Sequence, residues 1–116
     1  MTVAVQHSVP QIIYQQLGGS KFSAMTGTTD FIGDGYTLEM RLQKNRSGAN
    51  RLHITLDPHD DTYTMHFFKY TRMEFDIETF EIISGSKRET IKEINGVYAD
   101  MLRDIFEGVT GMYTTL

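Results

Sequence analysis

Four cations crowd one short stretch of the chain, at Arg41, Lys44, Arg46 and Arg51, and no acid follows Glu39 until Asp57. Asn45 and Asn50 lie among them. Guanidinium and ammonium groups hold phosphates and carboxylates through charge-assisted hydrogen bonds. A hairpin tip bearing this set would clamp a phosphate backbone or an acidic protein surface. Tyr63 and Phe68, on the stretches that follow, offer rings on which bases could stack. The same composition also suits a solvated loop that shields the end of a hairpin.

Two other groupings have the right atoms for chemistry. Asp57, His59, Asp60 and Asp61 combine carboxylate and imidazole donors suited to a divalent cation. Their spacing matches no calcium loop, and Asp-Pro-X-Asp-Asp is ordinary turn chemistry, so no metal ligand is assigned. His53 and His66 would face each other if their strands are neighbours, as an acid–base pair must. Neither has a partner in the sequence, so no catalytic residue is assigned. No Ser/His/Asp arrangement, P-loop or dinucleotide-binding glycine pattern occurs. Gly18-Gly19-Ser20-Lys21 follows a predicted helix where a phosphate cradle should open one. The chain has no cysteine, which removes disulfides, thiolate metal sites and cysteine nucleophiles. The reading is of a non-enzymatic protein without a cofactor.

The elements that must position these residues are mostly strands. Large apolar residues occupy every second position from Tyr36 to Leu42, from Arg51 to Leu56 and from Thr62 to Phe68. Side chains alternate across a strand, so this pattern dries one face and wets the other. Leu38, Met40, Leu42, Leu52, Ile54, Leu56, Met65 and Phe67 are the predicted dry set. Gly33-Asp34-Gly35, Lys44–Asn50 and Asp57–Asp61 are the turns between strands. The third strand extends as an alternating pattern to Ile77, then slips phase before Phe80, which calls for a bulge or break. Residues 87–94 fit either a last strand paired back on 78–83 or a capped helix, and the strand is preferred.

Helices bracket the sheet. Ser8-Val9-Pro10-Gln11 is a helix start, with Ser8 as cap and Pro10 in the first turn. Ile12, Ile13, Gln16 and Leu17 stripe one side, and Gly18-Gly19 ends it. A second helix is predicted from about Val97 to Glu107, burying Tyr98, Leu102, Ile105, Phe106 and Val109. Residues 112–116 are read as a tail. The expectation is one α+β domain over 1–116: a single antiparallel sheet of about five strands with the two helices on one face.

At 116 residues, 40% hydrophobic and 22% charged, the chain is long enough for one core and too short for two. Net charge is −4, with +2 over residues 1–56 and −6 over 57–116. That balance argues against indiscriminate nucleic-acid binding by the whole surface. No apolar run approaches the roughly 20 residues of a membrane span. Met1–His7 lacks the form of a signal peptide, and the chain reads as soluble and cytoplasmic.

Several stretches together carry a family resemblance: Tyr14–Phe22, Met25-Thr26-Gly27, Arg41-Leu42 with the basic loop, Arg51–Leu56, Gly96–Leu102 and Thr110–Thr114. They are similar to a family of small proteins encoded by bacteriophages, prophages and related mobile elements. The similarity runs from Ile12 to the end, with 72–90 longer than usual. It implies a viral or mobile-element setting in a bacterial cytoplasm and brings no catalytic residue with it. By analogy, small proteins of that setting occupy surfaces of host macromolecules, and some block defence systems such as CRISPR nucleases. The leading expectation is a protein that docks on a protein partner, plausibly inhibiting a host activity, with homo-oligomerisation open. The alternative is single-stranded DNA binding through Arg41, Lys44, Asn45, Arg46, Asn50 and Arg51.

Overall fold

The computed structural model describes residues 8–114. Met1–His7, read above for targeting signals, and Thr115-Leu116 of the tail lie outside the described residues. Alternation builds the sheet as expected. Strands β1 (Thr29–Asp34), β2 (Thr37–Arg41), β3 (Arg51–Asp57), β4 (Thr62–Thr71) and β7 (Lys87–Val97) form one antiparallel sheet in the order β1-β2-β3-β4-β7. Two short strands, β5 (Glu74–Phe75) and β6 (Ile82–Ser84), pair only with each other.

Of the eight residues predicted to share the dry face, seven are buried and Leu56 packs half-buried against them. Helices α1 (Val9–Leu17) and α3 (Leu102–Thr110) cover that face. Ile13, Leu17, Leu102 and Phe106 are fully buried. Each such side chain contributes about 1.5–3 kcal/mol by leaving water. The class is α+β, as the pattern predicted.

α1 starts where its cap chemistry puts it, with the Ser8 hydroxyl accepting from the Gln11 N–H at 3.3 Å. It stops at Gly18, whose φ of 123° disfavours a side chain. Pro10 presses on β1 so closely that a Cβ on Gly33 would lie 2.8 Å from its ring.

The chain departs from expectation in several places. A third helix, α2 (Ser20–Thr26), fills a stretch for which the sequence pattern predicted no element. Phe22 packs edge-to-face on Phe106 with centroids 4.9 Å apart, and the Thr26 hydroxyl donates to the Phe22 carbonyl at 2.8 Å. Gly18-Gly19 therefore do open a helix, contrary to the expectation, though one of only seven residues.

Strand β4 stops at Thr71, short of the predicted extension to Ile77. β7 is a strand, as preferred, but it pairs with β4 and not with 78–83. It also runs to Val97, through Asn95-Gly96. The last helix accordingly begins at Leu102, after a 3-10 turn over Ala99–Met101. Tyr98, predicted buried, is 59% exposed because it precedes that turn. Thr114, predicted as tail, is buried, with its N–H and hydroxyl donating to Glu107 Oε2 at 2.7 and 3.0 Å.

Candidate functional site

Among the described residues no helix covers the second face of the sheet, and its register lines up cationic and aromatic side chains. Arg41 stands opposite Arg51, Arg51 opposite Phe68, and Phe68 opposite Thr90. One step along, Tyr70 stands opposite Arg88. The next row down is Ile32, Glu39, His53, His66 and Glu93. Between them lies a depression of about 330 Å³ whose lining includes Arg41, Arg51 and Arg88 together with Asp30, beside Arg41, and Glu39 in the next row.

The guanidinium of Arg51 sits 5.5 Å from the Tyr70 ring centroid and that of Arg88 5.3 Å from the Phe68 centroid. A guanidinium at this distance is attracted to the ring face. Arg51 spends one donor on the Asn50 carbonyl at 3.2 Å. Arg41 meets Asp30 at 3.7 Å, with both side chains more than half exposed. Among the described residues, no carboxylate lies within 4.0 Å of Arg51 or Arg88.

Two irregularities in the ladders deliver residues to this depression. Asp30 has φ 56° where β1 breaks register between Thr29 and Ile32, a bulge of the kind that re-aims a side chain. In β7 the register jumps: Phe67 pairs with Lys92 and Phe68 with Thr90. Ile91 is the extra residue. Were Ile91 paired in an unbroken ladder instead of bulged, Glu89 would face Tyr70, and a carboxylate would stand where the Arg88 guanidinium now stands.

The two histidines do come together. Their ring centroids are 6.4 Å apart, and each packs on Phe68, at 4.8 and 4.9 Å. His53 Nε2 lies 3.3 Å from Glu39 Oε1, and His66 Nε2 is 2.9 Å from the Thr90 hydroxyl. Burial pushes the His53 imidazole below its ordinary pKa, and the charges of Arg88, His66 and Arg51 push the same way; Glu39 opposes them.

The basic hairpin does not act as one clamp. Arg41 and Arg51 go to the open sheet face. Arg46 turns to the helical side, where its Nη2 donates to the Gly108 carbonyl in the last turn of α3, a position where a cation complements unsatisfied helix carbonyls. Asn45 is spent on the loop itself, donating to the Gln43 and Ala49 carbonyls at 2.7 and 2.9 Å. Asn50 is spent on β4, holding the main chain of Tyr70. Lys44 is exposed beside a second hollow that it shares with Lys69.

The expected stacking rings are also covered. Phe68 is 2% exposed, and Tyr63 points into the core with its hydroxyl donating to Gln16 Oε1 at 2.7 Å. The acidic turn is committed to its own shape: Asp57 Oδ1 accepts from the His59 N–H, and Asp60 Oδ1 from the Thr62 hydroxyl, both at 2.9 Å.

A second feature lies beyond the sheet. After Thr71 the β4–β7 ribbon continues as a separate hairpin, residues 72–86, closed by β5 and β6. Its tip is tied by hydrogen bonds from the Phe80 N–H to the Asp76 carbonyl and from the Glu78 N–H to Asp76 Oδ1. Met73, Phe75, Ile77, Phe80 and Ile82 are all exposed, Ile77 by 75% and Phe80 by 78%. Glu74, Asp76, Glu78 and Glu81 alternate with them. The alternation was visible in the sequence, and the absence of a facing layer was not. Arg88 drew no assignment either, because only the long-range pairing of β7 with β4 places it.

Comparison of the chain with family models, curated proteins and solved structures finds no match. Among the described residues, no helix is long and apolar enough to cross a membrane.

Proposed function

We propose that this is a non-enzymatic binding protein that docks on a protein partner through the hairpin arm at 72–86. The observation that supports this reading is the exposure of five large apolar side chains on a hairpin in which none of the described side chains is buried. Apolar groups gathered on one projection, bordered by acids, mark a protein-binding surface more than a solvated loop. Phe80 adds to this. It holds a φ of 59°, and a left-handed conformation at a non-glycine residue costs about 1–2 kcal/mol. Strain of that kind gathers where a fold presents a side chain for use.

The partner's complementary surface would be apolar at its centre and basic at its edge, to meet Glu74, Asp76, Glu78 and Glu81. The resemblance to phage and mobile-element proteins suggests a host protein, and the occupation of a defence nuclease or similar machine is the form of inhibition it would take. Single-stranded DNA along the basic hairpin has less in its favour. Its cations divide between two faces, and both expected stacking rings are covered.

The test is affinity capture from bacterial lysate with the wild-type chain and with an Ile77→Ser/Phe80→Ser variant. The wild type should enrich a discrete protein that the variant loses at unchanged circular dichroism. Retention of the partner by the variant would remove the arm from the account. No partner alongside tight binding of single-stranded DNA would reverse the ranking.

A further inference from the structure

We propose that the depression on the open sheet face is a binding site for a phosphorylated small molecule of about mononucleotide size. Its phosphate would be taken by Arg51, Arg88 and Arg41, and its hydroxyl or amino end by Asp30 and Glu39. The inference is independent of the arm.

Register carries the first part. Arg41 and Arg51 are directly opposed on neighbouring strands, an arrangement of like charges that destabilises a sheet unless something offsets it. Asp30 answers only Arg41, in an exposed pair at 3.7 Å whose worth is about 0–1 kcal/mol. The third guanidinium arrives by an irregularity: the extra residue Ile91 sets Arg88, and not Glu89, opposite Tyr70. Bulges of this kind recur beside functional sites because they re-aim a side chain.

Pre-organisation carries the second part. Arg51 and Arg88 lie over Tyr70 and Phe68, contacts that bias two long side chains toward this face before a ligand arrives. Stacked guanidiniums keep their in-plane donors for a tetrahedral anion, which can take several forks at once where a carboxylate fills one.

The surroundings decide the ligand's size and its other end. A volume of about 330 Å³ falls at the lower end of the range of small-molecule sites, roughly 300–1,000 Å³. A polynucleotide needs a continuous cationic track. Here the row beside the arginines carries Glu39 and Glu93 at its flanks, and Asp30 stands at the arginine row's end. A single phosphate fits between those acids; a chain of them would be repelled. Asp30, at the end of the arginine row, and Glu39, in the row beside it, accept hydrogen bonds and so select a ligand that carries donors as well as a phosphate.

Isothermal titration with adenosine monophosphate, ribose 5-phosphate, inorganic phosphate and a single-stranded oligonucleotide tests this on the full chain. At least one of the two organic phosphates should bind more tightly than inorganic phosphate. Arg51→Gln and Arg88→Gln should each weaken it at least tenfold, or about 1.4 kcal/mol. Arg51→Lys, which keeps the charge and loses the fork, should weaken it as well. The His53 and His66 ring signals, followed by NMR, should move on addition of the organic phosphate, locating it on this face independently of any variant. Inorganic phosphate binding as tightly as the tighter of the two organic phosphates would overturn the proposal. So would an oligonucleotide binding more tightly than both, or organic phosphates that leave the two imidazoles unmoved.

Discussion

Asn50 holds Tyr70 by both of its backbone polar groups. The Asn50 side-chain amide donates to the Tyr70 carbonyl at 2.8 Å and accepts from the Tyr70 N–H at 2.7 Å. A side chain thus stands in for a missing strand residue, continuing the β3–β4 ladder one step past Arg51. Both groups are partly buried. Removing one side of a buried hydrogen bond costs about 1–3 kcal/mol through the orphaned partner, and two partners are orphaned here. Asn50→Ala should therefore lower stability by about 2–4 kcal/mol. Urea melts should show a reduced midpoint at an unchanged slope. A loss below about 0.5 kcal/mol, the scale of an ordinary surface change, would deny Asn50 this role.

Arg46 allows the basic loop to be divided experimentally. It belongs to the end of α3, where it meets the Gly108 carbonyl, while Arg41 and Arg51 belong to the open face. Arg46→Ala should cost about 0.5–1.5 kcal/mol and leave every ligand of the sheet face bound as before. Thermal melts and phosphate titration of the same variant give both readings. Unchanged stability with lost anion binding would restore the loop as a single clamp.

That division shows where the sequence stopped being legible. Period-two alternation was enough to place Leu38, Met40, Leu52, Ile54, Met65 and Phe67 on one dry face, because parity within a strand is a local property. Parity between strands is not. Whether Arg88 shares a face with Arg51 depends on one extra residue in β7, and nothing around Ile91 announces it. The helix at Ser20–Thr26 hid for a different reason. It has no side-chain cap and follows two glycines, so it is held by long-range burial of Phe22 against Phe106 and by the buried Thr26 hydroxyl, which local pattern does not announce. The arm reads as more of β4 up to Ile77, since alternation records which residues share a side without saying whether anything covers it.

Close backbone packing gives a third expectation. A Cβ on Gly33 would lie 2.8 and 2.9 Å from the Pro10 ring carbons, and the proline ring cannot swing aside as a flexible side chain would. Overpacking of this kind costs about 1–3 kcal/mol. Gly33→Ala should be destabilised by that amount in chemical denaturation, and Gly33→Ala combined with Pro10→Ala should recover part of it. No recovery in the double variant would place the strain elsewhere.

His53 makes stability depend on pH. Its pKa in the folded chain lies below the ordinary value of 6.5, chiefly through burial, with Arg88, His66 and Arg51 adding to the shift against Glu39. The unfolded chain therefore binds a proton more readily than the folded one. Its contribution is fully present above about pH 6.5 and is lost progressively as pH falls through that value toward the folded pKa. Denaturant midpoints should fall across this window in the wild type and fall less in His53→Gln. An identical pH profile for the two would show that His53 is not the group responsible.

The arm and the core should respond to substitution in opposite ways. Phe106 is fully buried and meets Phe22 edge-to-face at 4.9 Å, so truncating it opens a cavity that neighbours cannot fill. Phe106→Ala should cost about 3–5 kcal/mol. Phe80 is of the same residue type and is 78% exposed on a hairpin that pairs only with itself. Phe80→Ser removes no buried contact and should change stability by no more than about 0.5 kcal/mol. Phe80→Gly relieves a φ of 59°, and for the isolated chain it should be neutral or slightly stabilising. Melting curves of the three variants separate the cases. If Phe80→Ser unfolded the chain as Phe106→Ala does, the arm would be packed on the body, and its apolar residues would be structural ones with no surface left to offer a partner.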